Sequence, residues 1–448
     1  METNVGEGVP MMTVEARRLE IPLLATKILL GAQCTPNWHG KKDTVRVYFD
    51  DNEWPVHAQD YEIASAIAAE IKKLWIDLSA KWNCLNTPTV TMEIVGMASA
   101  LYARRTDSRA GKKGIVMLSD NDGCGFWRMR LPAKFMPGDG WFADITSAAV
   151  KYDRLLEYDT IFVQRFHEWD AFYVLERLKK AGKRIIYDID DDLFSIPREN
   201  PAANFIRKDQ QFAALETMKL ADVVIAATPV LKERLEQDLG LKGKVVVVPN
   251  ALDLEGMTPT ALCGSPDGVR RIFWQGGTTH AEDWSVCLSA IEKVMSEEAD
   301  VRLTLLGFLP PMVMDMVQRR GWFGRVEHSG FSEPETYYQM VKHVRAEVGI
   351  APLIDNRFNQ GKSELKFLEN TVIGMPTVAS RVAPYENAIK GHKNGILVSS
   401  PEGWHEALMM LLSDAQKRKF MLAEARKLLV ERYDIRKVAL EWAAILCK

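Results

Sequence analysis

Four carboxylates fall within five residues at Asp188-Ile-Asp-Asp-Asp192. Like charges this close raise one another's pKa and destabilise a fold unless a ligand or a counter-charge balances them. Two chemistries use such a group. An Asp-X-Asp pair can chelate a divalent ion that carries a diphosphate, or a carboxylate can position or deprotonate a hydroxyl. A second set lies in Asp355-Asn-Arg-Phe-Asn-Gln-Gly-Lys-Ser-Glu-Leu-Lys-Phe-Leu-Glu-Asn370, where Lys362, Lys366 and Glu369 are spaced four and three apart. That spacing puts two cations and a carboxylate on one face of a helix, which suits an anionic ligand or a surface ladder of ion pairs equally well.

Two glycine-bearing loops accompany these clusters. In Phe273-Trp-Gln-Gly-Gly-Thr-Thr-His280, Gly276 and Gly277 follow a strand-like run, Thr278 comes next, and Asp283 stands where a helix begins. Paired glycines before hydroxyl residues at a helix start make a diphosphate cradle. His280 faces a ligand there or caps the helix. In Ser119-Asp-Asn-Asp-Gly-Cys-Gly125, Gly123 and Gly125 let backbone approach a ligand, and Arg128 and Arg130 follow. This is not the Gly-X-Gly-X-X-Gly fingerprint, and a tight strand-to-helix turn reads the same way.

The elements that must hold these loops are short apolar strands. Runs at 114–118, 160–164, 184–187, 223–226 and 245–248 are Val- and Ile-rich and separated by helix-length segments, as in a buried parallel sheet. The pattern restarts at 271–275, 302–307, 326–330, 348–351, 377–380 and 396–398. Open α/β sheets bind ligands at the carboxyl ends of their strands, which is where all four clusters fall. The expected organisation is an α+β extension at 1–110, one α/β domain at 111–255, a second at 256–430, and a C-terminal helix at 431–448 that packs back on the first. The extension shows a helical apolar face at 61–80, between strand-like 44–49 and 87–95. A basic run at 104–114 and a Pro- and Gly-containing run at 253–269 mark the boundaries.

Composition narrows the class. The 448 residues are 47% hydrophobic and 26% charged, the balance of a folded globular protein of two or three domains. A net charge of −3 lacks the basic excess of a dedicated nucleic-acid binder, although a local groove can differ. The six cysteines form no Cys-X-X-Cys pair, against a zinc site or a disulfide framework. No segment reads as a signal peptide or reaches the roughly 18 apolar residues of a membrane span, so a cytoplasmic location is expected.

Taken in order, these motifs resemble the family 4-like, group 1 glycosyltransferases of the GT-B fold, over about residues 114–447. The residues that carry the resemblance are 223–226 before Thr228-Pro229, Val245-Val-Val-Val-Pro-Asn250, Gly276-Gly277, Ser329-Gly330-Phe331, and Glu369 before Gly374-Met-Pro376. The resemblance implies two Rossmann-like domains facing across a cleft. It also implies retaining transfer from a nucleotide-diphosphate sugar, with no cofactor and no bound metal. Glu369 matches the glutamate that holds the donor ribose. The family's other glutamate, eight positions earlier, falls on Gly361, and Lys362-Ser363 resembles a variant branch with a Lys-Ser pair and a Tyr-Asp-Ile-Asp-Asp strand end, as at 187–191. Asp190 stands where many relatives carry histidine.

On this basis Asp188, Asp190, Lys362 and Lys366 are the expected catalytic residues. Gly276, Gly277, Thr278, His280, Ser363 and Glu369 are expected to bind the donor. Asp122, Gly123, Gly125, Arg128, Arg165 and Asp191 are expected to touch the acceptor, a glycan or small molecule. Three alternatives stay open: a phage-type enzyme that glycosylates a hydroxymethylated DNA base, a non-catalytic carbohydrate- or partner-binding module, and an epimerase of the same fold. The DNA reading would use Arg104, Arg105, Arg109, Lys112, Lys113, Arg128 and Arg130.

Overall fold

The computed structural model describes residues 46–48, 93–95, 112–118, 123–137, 141–146, 152–257, 267–331, 337, 340, 341 and 343–448. The expected helix at 61–80, the arginines at 104, 105 and 109, and Asp122 lie outside the described residues. Two compact units emerge: residues 1–120 and 138–162 with Cys447, and residues 121–137 and 163–446 with Lys448.

In the first unit, β1 (Arg46–Tyr48) and β2 (Glu93–Val95) pair in parallel, with Arg46 opposite Glu93. β3 (Lys113–Leu118) and β4 (Trp141–Thr146) also pair in parallel, Lys113 opposite Trp141. β3 is buried from Gly114 onward, as its Gly-Ile-Val-Met-Leu sequence requires. β4 carries no continuous hydrophobic signal in the sequence, because Asp144 breaks its apolar run. Asp159 is fastened to the start of β3: the Gly114 amide donates to its carboxylate at 2.7 Å, and its own amide donates back to the Gly114 carbonyl at 2.8 Å. β5 (Thr160–Gln164), fully buried, then carries the chain into the second unit.

The second unit begins with a helical stretch at 123–135, wound as a π-helix over Phe126–Arg130 and ending in α1 (Leu131–Phe135). π-turns of this kind concentrate at functional sites. α2 (Trp169–Lys180) leads into β6 (Arg184–Ile189), and β6, β7 (Val223–Ala226) and β8 (Val245–Val247) pair in parallel, with α3 (Lys208–Leu220) and α4 (Pro229–Gln237) between them. α4 starts where its sequence says it should: Thr228 accepts from the Leu231 amide at 3.1 Å and Pro229 occupies the first turn.

The second sheet runs β11-β10-β9-β12-β13-β14, all parallel: β9 (Arg270–Gly276), β10 (Val301–Gly307), β11 (Val326–Ser329), β12 (Val348–Ala351), β13 (Thr377–Ser380) and β14 (Ile396–Val398). Counted within the sheet this is the order 3-2-1-4-5-6 of dinucleotide-binding folds, and it reverses between β9 and β12. Around it lie α5 (Leu288–Glu297), α6 (Pro311–Arg320), α7 (Arg357–Gln360), α8 (Leu365–Val372), α9 (Ala383–Ala388) and α10 (Pro401–Ser413). Trp274, Trp284 and Trp404 are fully buried in this core, the first two edge to face at 5.3 Å. A ring pair of this geometry adds about 0.5–1.5 kcal/mol beyond its area burial.

α11 (Ala415–Arg432) and α12 (Ile435–Leu446) end the chain. α12 lies against α1, and its last carbonyls accept from Arg184 at the start of β6, at 2.5 Å for Ile445. Among the described residues no helix is long and apolar enough to cross a membrane.

Candidate active site

The strand order locates the site before any side chain is considered. A crevice opens where β9 and β12 diverge in connection, at their carboxyl ends. A pocket of about 460 Å³ lies there, lined by Gln275, Gly276, Gly277, Thr279 and His280 after β9 and by Leu353 after β12. The same pocket is bounded by Arg165, Asp190 and Asp191, which follow β5 and β6, and by Gly123, Cys124 and Trp127. Its size is that of an ordinary small-molecule site.

Gly276 has a steric reason to be glycine: a Cβ there would come within 2.6 Å of the Trp274 ring beneath it. Gly277 has open space above it and begins a short 3-10 turn, Thr278–His280, whose first amides have no partner within the turn. Thr278, expected at the donor, does not line the pocket, whereas its neighbour Thr279 does.

Lys362, Ser363, Lys366 and Glu369 all line the pocket. They do not share one helical face as the spacing suggested. α7 ends at Gln360 and α8 starts at Leu365, so Lys362 and Ser363 sit in the turn between the two helices. Lys366 and Glu369 alone keep the helical relation. Lys362 Nζ lies 3.2 Å from Asp191 Oδ1 and 4.5 Å from the centre of the Phe358 ring. Ser363 Oγ accepts from Asn250 Nδ2 at 2.9 Å, across from the end of β8.

Lys366 Nζ is 2.9 Å from His280 Nε2, and His280 Nδ1 is 2.7 Å from Asp283 Oδ2. Burial, reinforced by the charge of Lys366, pushes the His280 pKa down to about 4 against the pull of Asp283, so the imidazole is neutral at pH 7. Burial and the neighbouring Lys362 lower Lys366 to about 8, against Glu369, Asp283 and Asp191. It therefore remains mostly an ammonium at neutral pH. Glu369 accepts from Gln275 Nε2 at 3.1 Å and from the Tyr337 hydroxyl at 2.9 Å. Burial raises its pKa, while those two donors and Lys366 favour the carboxylate. The Oε1 of Gln275 is buried without a hydrogen-bond partner among the described residues.

The acidic cluster after β6 is different in kind. Asp188 and Arg128 are both fully buried and form an ion pair at 2.7 Å. Arg128 also donates to the Val248 carbonyl at 2.8 Å and to Asn250 Oδ1 at 3.1 Å, and its guanidinium lies 4.8 Å from the Trp442 ring centre. Burial lifts Asp188 to about 6 in spite of Arg128, so it is still ionised at neutral pH. These geometries correct two expectations: Asp188 is not placed to act on a substrate, nor Arg128 to touch an acceptor, because each is spent on the other. Gly125 is buried behind the pocket wall, leaving Gly123 and Cys124 on its surface. Arg130 is also buried, so neither arginine of this segment presents itself to DNA.

Arg165 does face the pocket. It adopts a left-handed backbone, φ 54°, which non-glycine residues rarely adopt and which clusters at functional sites. Its guanidinium reaches Asp190 at 3.4 Å, Asp191 at 3.7 Å and Cys124 Sγ at 2.9 Å. Burial alone would raise the Asp191 pKa, but Lys362 and Arg165 outweigh it and hold the carboxyl below its usual range. Asp192 is paired with Arg234 at 3.2 Å. Among the described residues no group of three or more His, Cys, Asp or Glu side chains converges so as to hold a metal ion.

Asn250 and Phe331, which close two of the runs that carry the family resemblance, line the pocket, as do Gln275, Tyr337, Tyr385 and Trp127, which were given no role. Of these last four, Gln275, beside the glycine pair, carried a positional signal and the others carried none.

No curated protein sequence matches the chain. Residues 270–414 match the family model described as glycosyl transferases group 1. The HepE protein of Anabaena in complex with UDP-glucose is similar at 14% identity and a TM-score of 0.56, over 74% of this chain and 99% of that one. Sucrose-phosphate synthase from Thermosynechococcus elongatus is similar at 15% and 0.57, over 75% and 98%. A glycosyltransferase from Rickettsia africae is similar at 12% and 0.54, over 74% and 97%. At such identities the likeness establishes the fold, which is GT-B, with two Rossmann-like α/β domains.

Proposed function

We propose that this chain is a glycosyltransferase that moves a sugar from a nucleoside-diphosphate donor to an acceptor hydroxyl, with retention of configuration and without a metal ion. One observation carries the reading. Two cations, the buried Lys362 and the half-buried Lys366, and the buried carboxylate Glu369 converge on one pocket beside the Gly276 and Gly277 loop. Paired cations suit a leaving diphosphate, and a preorganised donor aimed at developing charge is worth about 2.7–4 kcal/mol. Glu369 suits the vicinal hydroxyls of a ribose. The match of the second sheet to group 1 glycosyltransferases and the UDP-glucose bound to the similar HepE structure support a nucleotide-sugar donor.

Retention is favoured by the electrostatics of the acceptor side. An inverting transfer needs a carboxylate ready to take a proton, and Asp191, held below its usual pKa by Lys362 and Arg165, is a poor base. In the retaining alternative the bond from the anomeric carbon to the phosphate oxygen breaks, the acceptor oxygen bonds to that carbon on the same face, and its proton passes to the departing phosphate. Asp190, Asp191 and Arg165 then orient the acceptor.

The test is thermal unfolding in EDTA with uridine, guanosine and adenosine diphosphates and their sugar conjugates. A true donor at one hundred times its dissociation constant stabilises by about 2.7 kcal/mol. One nucleotide series is expected to do so without metal, and the anomeric configuration of the product, read by NMR, then decides retention. Strict dependence on manganese or magnesium would overturn the metal-free reading, and no response to any nucleotide would leave a non-catalytic module.

A further inference from the structure

Asp283 lies in the short 3-10 segment Glu282–Val286 and is buried. Its two oxygens serve three donors. Oδ1 accepts from the Ile354 amide and from Asn359 Nδ2, both at 2.9 Å, and Oδ2 lies 2.7 Å from His280 Nδ1. On the far side of that imidazole, Nε2 is 2.9 Å from Lys366 Nζ. An ammonium has protons to give and no lone pair, so Nε2 must be the bare nitrogen and Nδ1 the protonated one. The carboxylate of Asp283 is the acceptor that selects this tautomer. The backbone carbonyl of Asn359 in turn accepts from the Lys362 amide at 3.2 Å, so the residue that Asp283 holds by its side chain also closes the turn after α7.

Resting on the diphosphate reading of this pocket, we infer that Asp283 is a positioning residue: through the His280 tautomer it holds Lys366 as an ammonium in the pocket, and through Asn359 it fixes the turn that carries Lys362. No contact between Asp283 and substrate is needed. The carboxylate acts by deciding which way one imidazole donates.

The replacement Asp283→Asn tests this with almost no change of shape. The new amide must keep its oxygen toward Ile354 and Asn359, which both donate, and so turns its NH2 toward His280 Nδ1. That selects the Nε2–H tautomer, which points a proton at the Lys366 ammonium. Donor then faces donor, and Lys366 must lose its proton or swing away. The charged groups around Lys366 are Lys362, Glu369, Asp283 and Asp191, with Arg165 behind Asp191, and only one of them changes.

The experiment uses the full chain and uridine diphosphate, titrated calorimetrically from pH 7 to pH 9.5, where the phosphates are already ionised. Lys366 is charged below its lowered pKa and neutral above it, so affinity is lost as pH rises through about 8. The wild-type chain is expected to lose about tenfold per pH unit beyond that point. In Asp283→Asn the decline should begin about one unit lower, leaving binding about twofold weaker than wild type at pH 7 and about tenfold weaker at pH 9. His280→Gln, which can still donate to Asp283 and accept from Lys366, should lower overall affinity but keep the pH at which the decline begins, whereas His280→Leu should move that pH downward; this pair carries the test if Asp283→Asn fails to fold.

Nitrogen-15 spectra of histidine-labelled protein read the tautomer directly, with the His280→Gln spectrum identifying the resonance. Nδ1–H in the wild-type chain is the expected result. An Nε2–H tautomer there, or a pH profile that neither Asp283→Asn nor His280→Leu moves, overturns the inference. Failure of the wild-type chain to bind uridine diphosphate at every pH, with the Nδ1–H tautomer present, strikes the diphosphate reading and leaves the tautomer assignment standing.

Discussion

The two strand ends that border the pocket handle charge in opposite ways. After β6, four acids meet cations: Asp188 with Arg128, Asp190 and Asp191 with Arg165, Asp191 also with Lys362, and Asp192 with Arg234. At the end of β9, charged groups of α8 lean on neutral partners: Lys366 on His280, and Glu369 on Gln275, with Tyr337 as its second donor. An ion pair must be broken before either member can serve a ligand, whereas a cation hydrogen-bonded to a neutral imidazole keeps its charge for one. The β9 edge is thus ready to receive an anion, and the β6 edge is a braced wall that can trade partners once the anion has arrived.

The largest effect expected from breaking this contrast is on stability. Arg128→Leu strands the Asp188 carboxylate in a site with no exposure, and removal of one partner of such a pair costs about 3–5 kcal/mol. Urea denaturation measures it, and the double replacement with Asp188→Leu should restore much of the loss because no buried charge is left over. A loss below about 1 kcal/mol for the single replacement would place Arg128 among ordinary surface-like ion pairs and dissolve the wall half of the comparison.

Next in size is the contrast between the lysines. Lys366→Met should slow turnover by about 100-fold or more, as for loss of one preorganised donor to a leaving oxyanion. Lys362→Met should weaken ground-state binding of the diphosphate less than Lys366→Met does, because Lys362 begins in an ion pair with Asp191 and must first surrender it. Single-turnover rates and nucleotide titrations separate the two, and equal losses in binding would show that the pairing after β6 holds nothing in reserve.

The smallest effect is Glu369→Gln, which keeps the shape and removes the charge. Hydrogen bonds to charged groups contribute about 1.5–3 kcal/mol, so donor affinity should fall roughly ten- to hundredfold. Titration with the nucleotide that stabilises the wild-type chain checks this, and unchanged affinity would detach Glu369 from the ribose.

By itself the sequence determined the elements. Strands β5, β7, β12, β13 and β14 begin and end where the apolar runs do, since a buried parallel strand must be apolar on both faces and is bounded by turn residues. It also determined that the clusters worth reading lie just after strands, and Lys362, Lys366, Glu369, Gly276, Gly277, His280, Ser363, Arg165, Asp190 and Asp191 do meet in one pocket. Only the tertiary structure decided what each of them does there. Asp188 and Asp190 are two residues apart and look alike in sequence, and strand alternation would put both on one face; but β6 ends at Ile189, so Asp188 stays in the strand, buried against Arg128, 60 residues away, while Asp190 lies past the strand end at the pocket. Lys362 reads as part of a helix until the turn between α7 and α8 is seen, and Asp283 reads as a helix start until His280, Ile354 and Asn359 close around its carboxylate. Local spacing specifies which way a side chain leaves its own element; which partner waits there depends on packing between segments far apart in the chain, and for buried charges that partner decides whether the group binds, braces or reacts.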